Sequence, residues 1–445
     1  MAVSFKKALR LTAFTVLGTS IGITAGTFAS SKAPPTTKTY QQLLLFADVL
    51  AIVQDGYVEP VDDAELVEHA LNGMLHSLDP HSRYVAPKKY EKSEKKARRE
   101  YGGLGIEVSM VDGLVKVNYA NTGAPAARAG LKAGDRITHI EGDPVMGKTL
   151  NEATDDMRGL AGDAITITVK SVGQPPRDVT IVRETIQGRA IRQRMHEGVG
   201  YIYLETFTSE NLARDLEEAI GLLEEENGAP LPGLILDIRN NGGGLLMQSI
   251  DVAGHFMDGG EVVSVRGRHK TDNERYHAKH GQLLADTPIV VLINGNSASA
   301  SEIVAGALQD RGRALIVGTQ SFGKGSVQSK IPLQGGRRGA LRLTTARYFT
   351  PSGQSIQGIG ITPDIWVEAF PDDGRKRMSI RESSLPNSLD SIIQKTEGKK
   401  RAQKQPPHEY PPNDWAKDKD YQLKRAVDIL KSADYETRLR DAFNN

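Results

Sequence analysis

The chain has 445 residues, which is enough for several domains with buried cores. Its hydrophobic content of 39% and charged content of 25% are those of an ordinary globular protein. The net charge of +1 gives no argument for nucleic acid as a partner, and the absence of cysteine excludes disulfides, thiol catalysis and cysteine-bound zinc.

Residues 1–29 have the pattern of an export leader. Basic residues near the start precede an uncharged apolar stretch, and Thr27-Phe28-Ala29 is a small-x-small cleavage signal. The stretch is also close to the length that spans a membrane, so it is either a signal peptide or an N-terminal anchor. Both alternatives predict export to a bacterial periplasm, either free or attached to the inner membrane. Residues 30–37 are predicted to be a linker.

Residues 38–100 show helical spacing of apolar side chains, interrupted by a turn at 78–84. Pro80 lies in this turn and predicts the end of the second helix. The region is too small to bury a large core of its own. Its apolar face is therefore expected to pack on another domain or subunit.

Residues 101–186 carry a glycine-rich loop that leads into a strand, followed by a second glycine-containing run at 129–135. Backbone N–H groups in such a loop can bind a terminal carboxylate, and the next strand can pair with an incoming peptide. An isolated β-turn is the alternative interpretation of the glycines. The two motifs together resemble a PDZ domain, whose carboxylate-binding loop corresponds to Gly103, Leu104, Gly105 and Ile106.

Residues 187–368 alternate between strand and helix patterns, which predicts an α/β core with a mostly parallel sheet. Gly242 to Gly244 lie between a strand and a helix, where backbone N–H groups are unpaired. A phosphate-binding loop is disfavoured, because no Gly-Lys-Ser/Thr follows. Asp237 at the end of the strand is predicted to anchor this loop, and Asp310 is likewise predicted to be structural.

Ser299 lies where a strand at 289–293 turns into a helix at 300–310. A hydroxyl at this position is presented at a sheet edge, and the first N–H groups of the helix can hold an oxyanion. We therefore predict that Ser299 is a nucleophile and that the N–H groups of Gly243 and Ala300 are oxyanion donors. The alternative is that Ser299 only caps its helix, since Ser299 and Glu302 have the spacing of a capping box.

A serine nucleophile needs a base, and Lys324 lies between two glycines in small, apolar surroundings. Lysine is a base only when neutral, so its reference pKa of ~10.4 must fall, which burial without a carboxylate partner achieves. Gln328 shares a face with Lys324 in a strand or in a helix, and is placed to orient the amine. A Ser–Lys pair is a variant of the Ser–His–Asp arrangement. The alternative is an ordinary surface lysine.

The motifs at 296–303, 309–310, 317–318 and 322–328 resemble the carboxy-terminal processing proteases, also called tail-specific proteases, and the resemblance covers nearly all of the chain after the leader. It implies that Ser299 is the nucleophile, Lys324 the base and Gln328 the residue that orients the lysine. It also implies a multidomain α/β protein with an N-terminal helical segment, a PDZ domain, a catalytic core of the crotonase/ClpP-like type, and a C-terminal region at 369–445 made of a loop and a helical segment. The family usually has a proline where this chain has Gly242, so we expect a more flexible loop.

The resemblance further implies that residues 38–100 support a homodimer or a larger homo-oligomer. It implies protein or peptide substrates with apolar C-termini, together with an adaptor or activating protein. Arg158 is a candidate PDZ switch, although attraction to a helix C-terminus also explains a basic residue there. Residues 421–442 are predicted to form a helix that caps the N-terminal helices of a partner subunit. No metal, nucleotide or other cofactor is expected.

Two other functions stay open from the sequence. One is a PDZ adaptor with an inactive protease domain. The other is a crotonase-like acyl enzyme, because paired N–H groups after a strand also suit a thioester oxyanion. His269, His277 and His280 are predicted to lie in a solvated flap, because no carboxylate or cysteine completes a metal-ligand set there.

Overall fold

The computed structural model describes residues 37–97, 101–120, 124–171, 173–184, 190–372, 374, 380–391, 406–416 and 419–444. The predicted leader lies outside these residues, as does all of the predicted linker except Thr37. The chain divides into two compact units, 1–66 and 67–445. Within the described ranges, no helix combines the length and apolar character that a membrane span requires.

The N-terminal region is mostly helical, as predicted. The first helix exposes large apolar side chains, among them Leu43, Leu44 and Leu45, which is unusual for a surface that faces only water. A short strand that the sequence did not predict begins at Arg83, within the turn predicted at 78–84. The elements are α1 (Thr37–Gly56), α2 (Asp63–His76), β1 (Arg83–Val85) and α3 (Pro87–Ala97).

The region predicted to be a PDZ domain is an antiparallel sheet with two short helices. The main sheet has the order β3-β4-β5-β8-β9, so that β3 is an edge strand. Ile165, Ile167 and Val169 alternate along β8 and are buried, as expected for a sheet with one covered face. The elements are β2 (Tyr101–Gly102), β3 (Ile106–Val111), β4 (Leu114–Ala120), α4 (Pro125–Arg128), β5 (Arg136–Ile140), β6 (Asp143–Pro144), α5 (Leu150–Met157), β7 (Gly159–Leu160), β8 (Ala164–Lys170) and β9 (Arg177–Val182).

Two sheets and several helices form the rest of the chain. The strands are β10 (Ile191–His196), β11 (Val199–Leu204), β12 (Leu234–Asp237), β13 (Glu261–Gly267), β14 (Glu274–His277), β15 (Ile289–Ile293), β16 (Leu315–Gly318), β17 (Ser326–Pro332), β18 (Ala340–Phe349), β19 (Ile365–Val367) and β20 (His408–Glu409). The helices are α6 (Leu212–Asn227), α7 (Leu246–Gly254), α8 (Ala300–Asp310), α9 (Tyr421–Leu430) and α10 (Tyr435–Asn444).

The central sheet has the order β10-β11-β12-β15-β16-β19-β20, and every pair from β11 onward is parallel. Its inner strands β12, β15 and β16 are almost entirely apolar and are buried along their whole length, because both faces of the sheet are covered there. Leu234 and Leu236 belong to the core that includes residues of α6, α7 and α8, whereas Ile235 belongs to the core with α9 and α10. The predicted α/β core with a mostly parallel sheet is thus confirmed.

The second sheet has the order β1-β18-β13-β14, with β17 also paired to β18. β1 runs antiparallel to β18 and places Arg83 opposite Arg342. The turn at 78–84 therefore does more than end a helix. It continues into β1, which belongs to the same sheet as β17. β17 begins at Ser326, two residues after Lys324.

The C-terminal segment differs from the prediction. The single helix expected over 421–442 is two helices, α9 and α10, and the Ser432 hydroxyl at the break donates to the Ile429 carbonyl at 2.7 Å. Such local side-chain bonds compete with helix continuation. α9 buries Leu423 and Val427 against the central sheet of its own chain, so this face is not available to cap a partner.

Tyr435 joins α10 to the central sheet. Its hydroxyl donates to the Ile289 carbonyl at 2.7 Å and accepts from the Ile289 N–H at 3.0 Å. Tyr435→Phe leaves both backbone groups of Ile289 without these buried partners, so we expect the free energy of unfolding to fall by about 1–3 kcal/mol in urea denaturation. Tyr421→Phe is the control, because among the described residues the Tyr421 hydroxyl has no hydrogen-bond partner. Equal losses in the two variants would contradict the assignment.

Candidate active site

Two loops meet at the carboxyl ends of neighbouring parallel strands. β12 and β15 pair in parallel, so the loops that follow them lie at the same sheet edge. The Ala298 N–H donates to the Asn241 carbonyl at 3.0 Å, and the Ser301 hydroxyl donates to the same oxygen at 2.8 Å. These bonds join the glycine loop before α7 to the serine loop before α8.

Ser299 is the N-cap of α8 and has φ +57° and ψ −113°. A residue other than glycine rarely adopts positive φ, so the Ser299 backbone is strained. This conformation belongs to a sharp turn between β15 and α8 that presents the serine side chain. The Glu302 N–H donates to the Ser299 carbonyl at 2.9 Å rather than to its hydroxyl. The hydroxyl makes no capping bond, so the cap alternative does not account for it.

Glu302 is fully buried and bonds to both halves of the site. Its Oε1 accepts from the Ser321 hydroxyl and the Gly323 N–H, each at 2.6 Å. Its Oε2 accepts from the Ser299 N–H at 2.7 Å and the Lys324 N–H at 2.9 Å. Burial raises the pKa of Glu302 to about 7, while these donors act in the opposite direction. The capping-box spacing of Ser299 and Glu302 in the sequence indicated one of these bonds, the one from the Ser299 N–H to Glu302 Oε2.

A cavity of about 330 Å³ lies beside this turn, and Ser299, Lys324, Gln328 and Gly243 all line it. Among the described residues, the Lys324 amine has no hydrogen-bonded or ion-paired partner. Burial lowers the pKa of Lys324, and the nearby positive charge of Arg342 lowers it further. The structure thus places the predicted nucleophile in one cavity with a lysine whose pKa is lowered.

Gln328 lies on β17 and lines the same cavity, but its amide bonds elsewhere. The side-chain nitrogen donates to Ser326 Oγ at 2.9 Å and to Thr344 Oγ1 at 3.3 Å. Within the described part of the chain, no hydrogen bond joins Gln328 to Lys324. A strand pattern does not indicate which residues of another strand lie opposite, so Thr344 and Arg342 could not be predicted as neighbours of Gln328 and Lys324.

The two predicted oxyanion donors differ in their present bonding. Gly243 has φ +95°, and a Cβ there would lie 2.7 Å from the Ala298 carbonyl oxygen. Its N–H donates to the Asn241 side-chain oxygen at 2.9 Å. The Ala300 N–H has no acceptor among the described residues. One of the two N–H groups is therefore engaged inside the loop.

Asp237 anchors the glycine loop, as predicted. It accepts from the Tyr201 hydroxyl at 2.9 Å and from the Arg239 guanidinium at 2.6 Å. The same guanidinium bonds to Asp420, the N-cap of α9, at 2.7 Å. Asp310 accepts from the Ser352 N–H at 2.8 Å and so fixes a loop.

The predicted carboxylate loop precedes the edge strand β3. Gly103 donates its N–H to the Glu184 carbonyl at 2.8 Å, and the Leu104 carbonyl accepts from the Ala126 N–H at 2.9 Å. Gly105 has φ +72°, and Ile106 begins β3. The N–H groups of Leu104 and Gly105 have no acceptor among the described residues.

Arg158 is the C-cap of α5, and its side chain pairs with Asp155 at 3.1 Å on an exposed surface. The structure does not place it among the residues that line the cavity. Its role as a switch stays a prediction. In the described ranges, no group of three His, Asp or Glu side chains is arranged to hold a metal ion, and this includes the three histidines of the predicted flap.

Comparison with known proteins gives the same assignment for most of the chain. Residues 198–367 match Peptidase family S41, residues 116–171 match a PDZ domain, and residues 22–89 match the N-terminal domain of the activating protease CtpB. A carboxy-terminal-processing protease of Bartonella bacilliformis is 52% identical over 332 residues, which cover 74% of this chain and 76% of that protein. A probable CtpA-like serine protease of Staphylococcus aureus is 32% identical over 358 residues, covering 80% of this chain and 71% of that protein. The solved photosystem II D1 C-terminal processing protease has 30% identity and a TM-score of 0.44, covering 74% of this chain and 94% of that one.

The chain belongs to the carboxy-terminal-processing proteases of peptidase family S41. It is a serine peptidase with a PDZ domain, and the predicted multidomain α/β fold with helical segments at both ends is confirmed.

The glycine loop offers a matched pair of substitutions. Gly243→Ala places a Cβ within 2.7 Å of the Ala298 carbonyl oxygen at a positive φ, so we expect proteolysis to fall at least tenfold. Gly242→Ala meets nothing within 4 Å and is expected to retain most of the activity. Initial rates of casein degradation, with melting temperatures to verify folding, compare the two. Similar rates for both variants would contradict a role for the Gly243 backbone.

Proposed function

We propose that the chain is an ATP-independent serine endopeptidase in which Ser299 is the nucleophile, Lys324 the general base and Gln328 the residue that orients the lysine. One observation carries the proposal: Ser299, on a strained turn, lines a cavity together with a half-buried lysine whose amine has no ion-paired partner in the described chain. A lysine held this way has a lowered pKa and can accept a proton.

In the proposed reaction, Lys324 takes the proton of Ser299 Oγ as that oxygen attacks the peptide carbonyl carbon. The resulting ammonium gives the proton to the leaving amine, which leaves an acyl-enzyme. Lys324 then takes a proton from water as the water oxygen attacks the acyl carbon. It returns that proton to Ser299 Oγ as the ester bond breaks and the second product leaves as a carboxylic acid. The oxyanion forms near the Ala300 N–H and competes with Asn241 for the Gly243 N–H. Each such donor contributes ~3 kcal/mol to transition-state stabilisation.

The proposed substrates are exported proteins or peptides with apolar C-termini, bound by the loop at 103–106. The N–H groups of Leu104 and Gly105 support this, because neither has an acceptor among the described residues. The edge strand β3 supports pairing with an extended peptide. The predicted leader supports action in the cell envelope. The apolar side chains exposed on α1 support a homo-oligomer, and the match to an activating protease domain supports an activating or adaptor protein.

Degradation of an unfolded protein without ATP or added metal tests the dyad. Ser299→Ala and Lys324→Ala are expected to lower the rate at least ~10³-fold, since each removes a group that acts in the reaction. Lys330→Ala is the control, because it removes a nearby lysine, on β17, that pairs with Glu94 instead. An active Lys324→Ala enzyme would exclude the lysine as base. A Ser299→Ala chain that keeps every cellular function would favour the adaptor.

The pH dependence tests the state of Lys324. The neutral amine is the active form, so the rate should rise with pH, with a midpoint below the ordinary value of 10.5 because burial and Arg342 lower the pKa of Lys324. Arg342→Gln removes a positive charge near the amine, which raises the pKa and moves the midpoint to higher pH. The measurement is kcat/KM of a peptide substrate against pH. An unchanged or lower midpoint in Arg342→Gln would contradict this account.

A further inference from the structure

The turn at 78–84 contains a buried aspartate that the proposed reaction does not use. Asp79 accepts from the N–H groups of His81 and Ser82, each at 2.8 Å, and from the Ser82 hydroxyl at 2.6 Å. It also accepts from Thr344 Oγ1 at 3.0 Å, which lies on β18. The carboxylate thus joins the turn that follows α2 to the sheet beside the active site.

A β-bulge places Thr344 opposite Gln328. Val327 of β17 pairs with Ala346 of β18, but the next residue, Gln328, pairs with Thr344. Thr345 is the extra residue of the bulge. A bulge of this kind changes the direction of the side chains that follow it, and here it puts the Thr344 hydroxyl within reach of the Gln328 amide.

The donors and acceptors in this chain of bonds can be in only one order. Burial raises the pKa of Asp79, but the bonds from Ser82, His81 and Thr344 outweigh it and hold the pKa below its usual value. The ionised carboxylate only accepts, so the single hydroxyl hydrogen of Thr344 goes to Asp79. The Thr344 oxygen then accepts from the Gln328 amide nitrogen.

The second amide hydrogen of Gln328 is given to Ser326 Oγ at 2.9 Å. With both hydrogens of its nitrogen in use, Gln328 can present only its carbonyl oxygen to a further partner. Gln328 and Lys324 line the same cavity, and the Lys324 amine is a donor.

We propose that Asp79 and Thr344 are positioning residues, and that the relay Asp79–Thr344–Gln328 determines which end of the Gln328 amide meets the Lys324 amine. This rests on the proposed Ser–Lys mechanism. An amide oxygen accepts one N–H of Lys324 and leaves the lone pair of its nitrogen for the Ser299 proton. A flipped amide would donate to that lone pair and prevent Lys324 from acting as a base.

A second route connects the same turn to the backbone beside the lysine. His81 Nε2 lies 2.9 Å from both carboxylate oxygens of Glu382, and Gln357 Nε2 donates to Glu382 Oε1 at 3.0 Å. The Gly325 N–H donates to Gln357 Oε1 at 3.1 Å. The turn is therefore connected both to the Gln328 side chain and to the backbone of Gly325, the residue after Lys324. A displacement of the turn would change the position of the Gln328 amide and of the Lys324 backbone together.

Thr344→Val in the 445-residue chain tests the relay, since valine keeps the shape and branching of threonine but neither donates nor accepts. We expect kcat to fall about tenfold or more with little change in KM. We also expect the pKa of Lys324 to fall, because an amide nitrogen turned toward the amine disfavours the ammonium. The pKa is measured from the pH dependence of Lys324 acylation by acetic anhydride, followed by mass spectrometry, and does not require turnover.

Thr345→Val is the matched control. It removes the neighbouring hydroxyl, which bonds to Ser329 on β17 at 2.6 Å and lies outside the relay, and should leave kcat and the Lys324 pKa unchanged. Thr344→Ser keeps a hydroxyl and should restore both quantities.

Wild-type kcat and an unchanged Lys324 pKa in Thr344→Val would overturn the relay, as would equal effects in Thr345→Val. The failure of the dyad is a separate result, an active Lys324→Ala enzyme. If the wild type shows no turnover, the relay is tested by the Lys324 pKa alone. The pKa must then be lower in Thr344→Val than in the wild type and in Thr345→Val.

Discussion

One buried carboxylate joins the backbones of the proposed nucleophile and the proposed base. Glu302 Oε2 accepts from the N–H groups of Ser299 and Lys324 at 2.7 and 2.9 Å, so the two backbones are fixed to one atom. Burying a carboxylate is costly, and its hydrogen bonds, at about 1.5–3 kcal/mol each for a charged acceptor, offset that cost. The strain of the Ser299 backbone, about 1–3 kcal/mol, persists only when surrounding bonds impose it. The Glu302 bond to the Ser299 N–H is one of them.

The position of this carboxylate depends on the parallel sheet. β12 and β15 end side by side, and the Asn241 carbonyl joins their two loops through bonds from Ala298 and Ser301. Ion pairs also stabilise the start of the glycine loop, because Arg239 bonds both to Asp237 and to Asp420 of the C-terminal segment. The C-terminal segment, which was predicted to cap the helices of a partner subunit, therefore supports the loop that contains Gly243, one of the two proposed oxyanion donors.

The features that could be predicted from the sequence are those that depend on residues close together in the chain. Ser299 and the helix after it depend on a strand, a turn and a helix within about twenty residues, and that pattern is readable. Gln328 was predicted because it shares a face with Lys324, whereas Thr344 was not, since its place opposite Gln328 depends on a bulge that shifts the pairing of β17 with β18. Asp79 and Thr344 are 265 residues apart, and no local pattern relates them. Glu382 lies in a polar stretch that was predicted to be loop, yet it is fully buried.

The proposed base, Lys324, acts only when its amine is neutral, and a carboxylate that pairs with the amine would keep it protonated. Two carboxylates are close enough to raise the pKa of Lys324. Both Glu302 and Glu382 act in that direction on Lys324, but burial and Arg342 outweigh them. An ion pair would reverse this balance, because it would stabilise the ammonium. The oxygens of Glu302 already accept from backbone and hydroxyl donors, and those of Glu382 from His81 and Gln357. The bonds that hold the site together therefore also occupy the acceptors that would otherwise attract the lysine and keep it protonated.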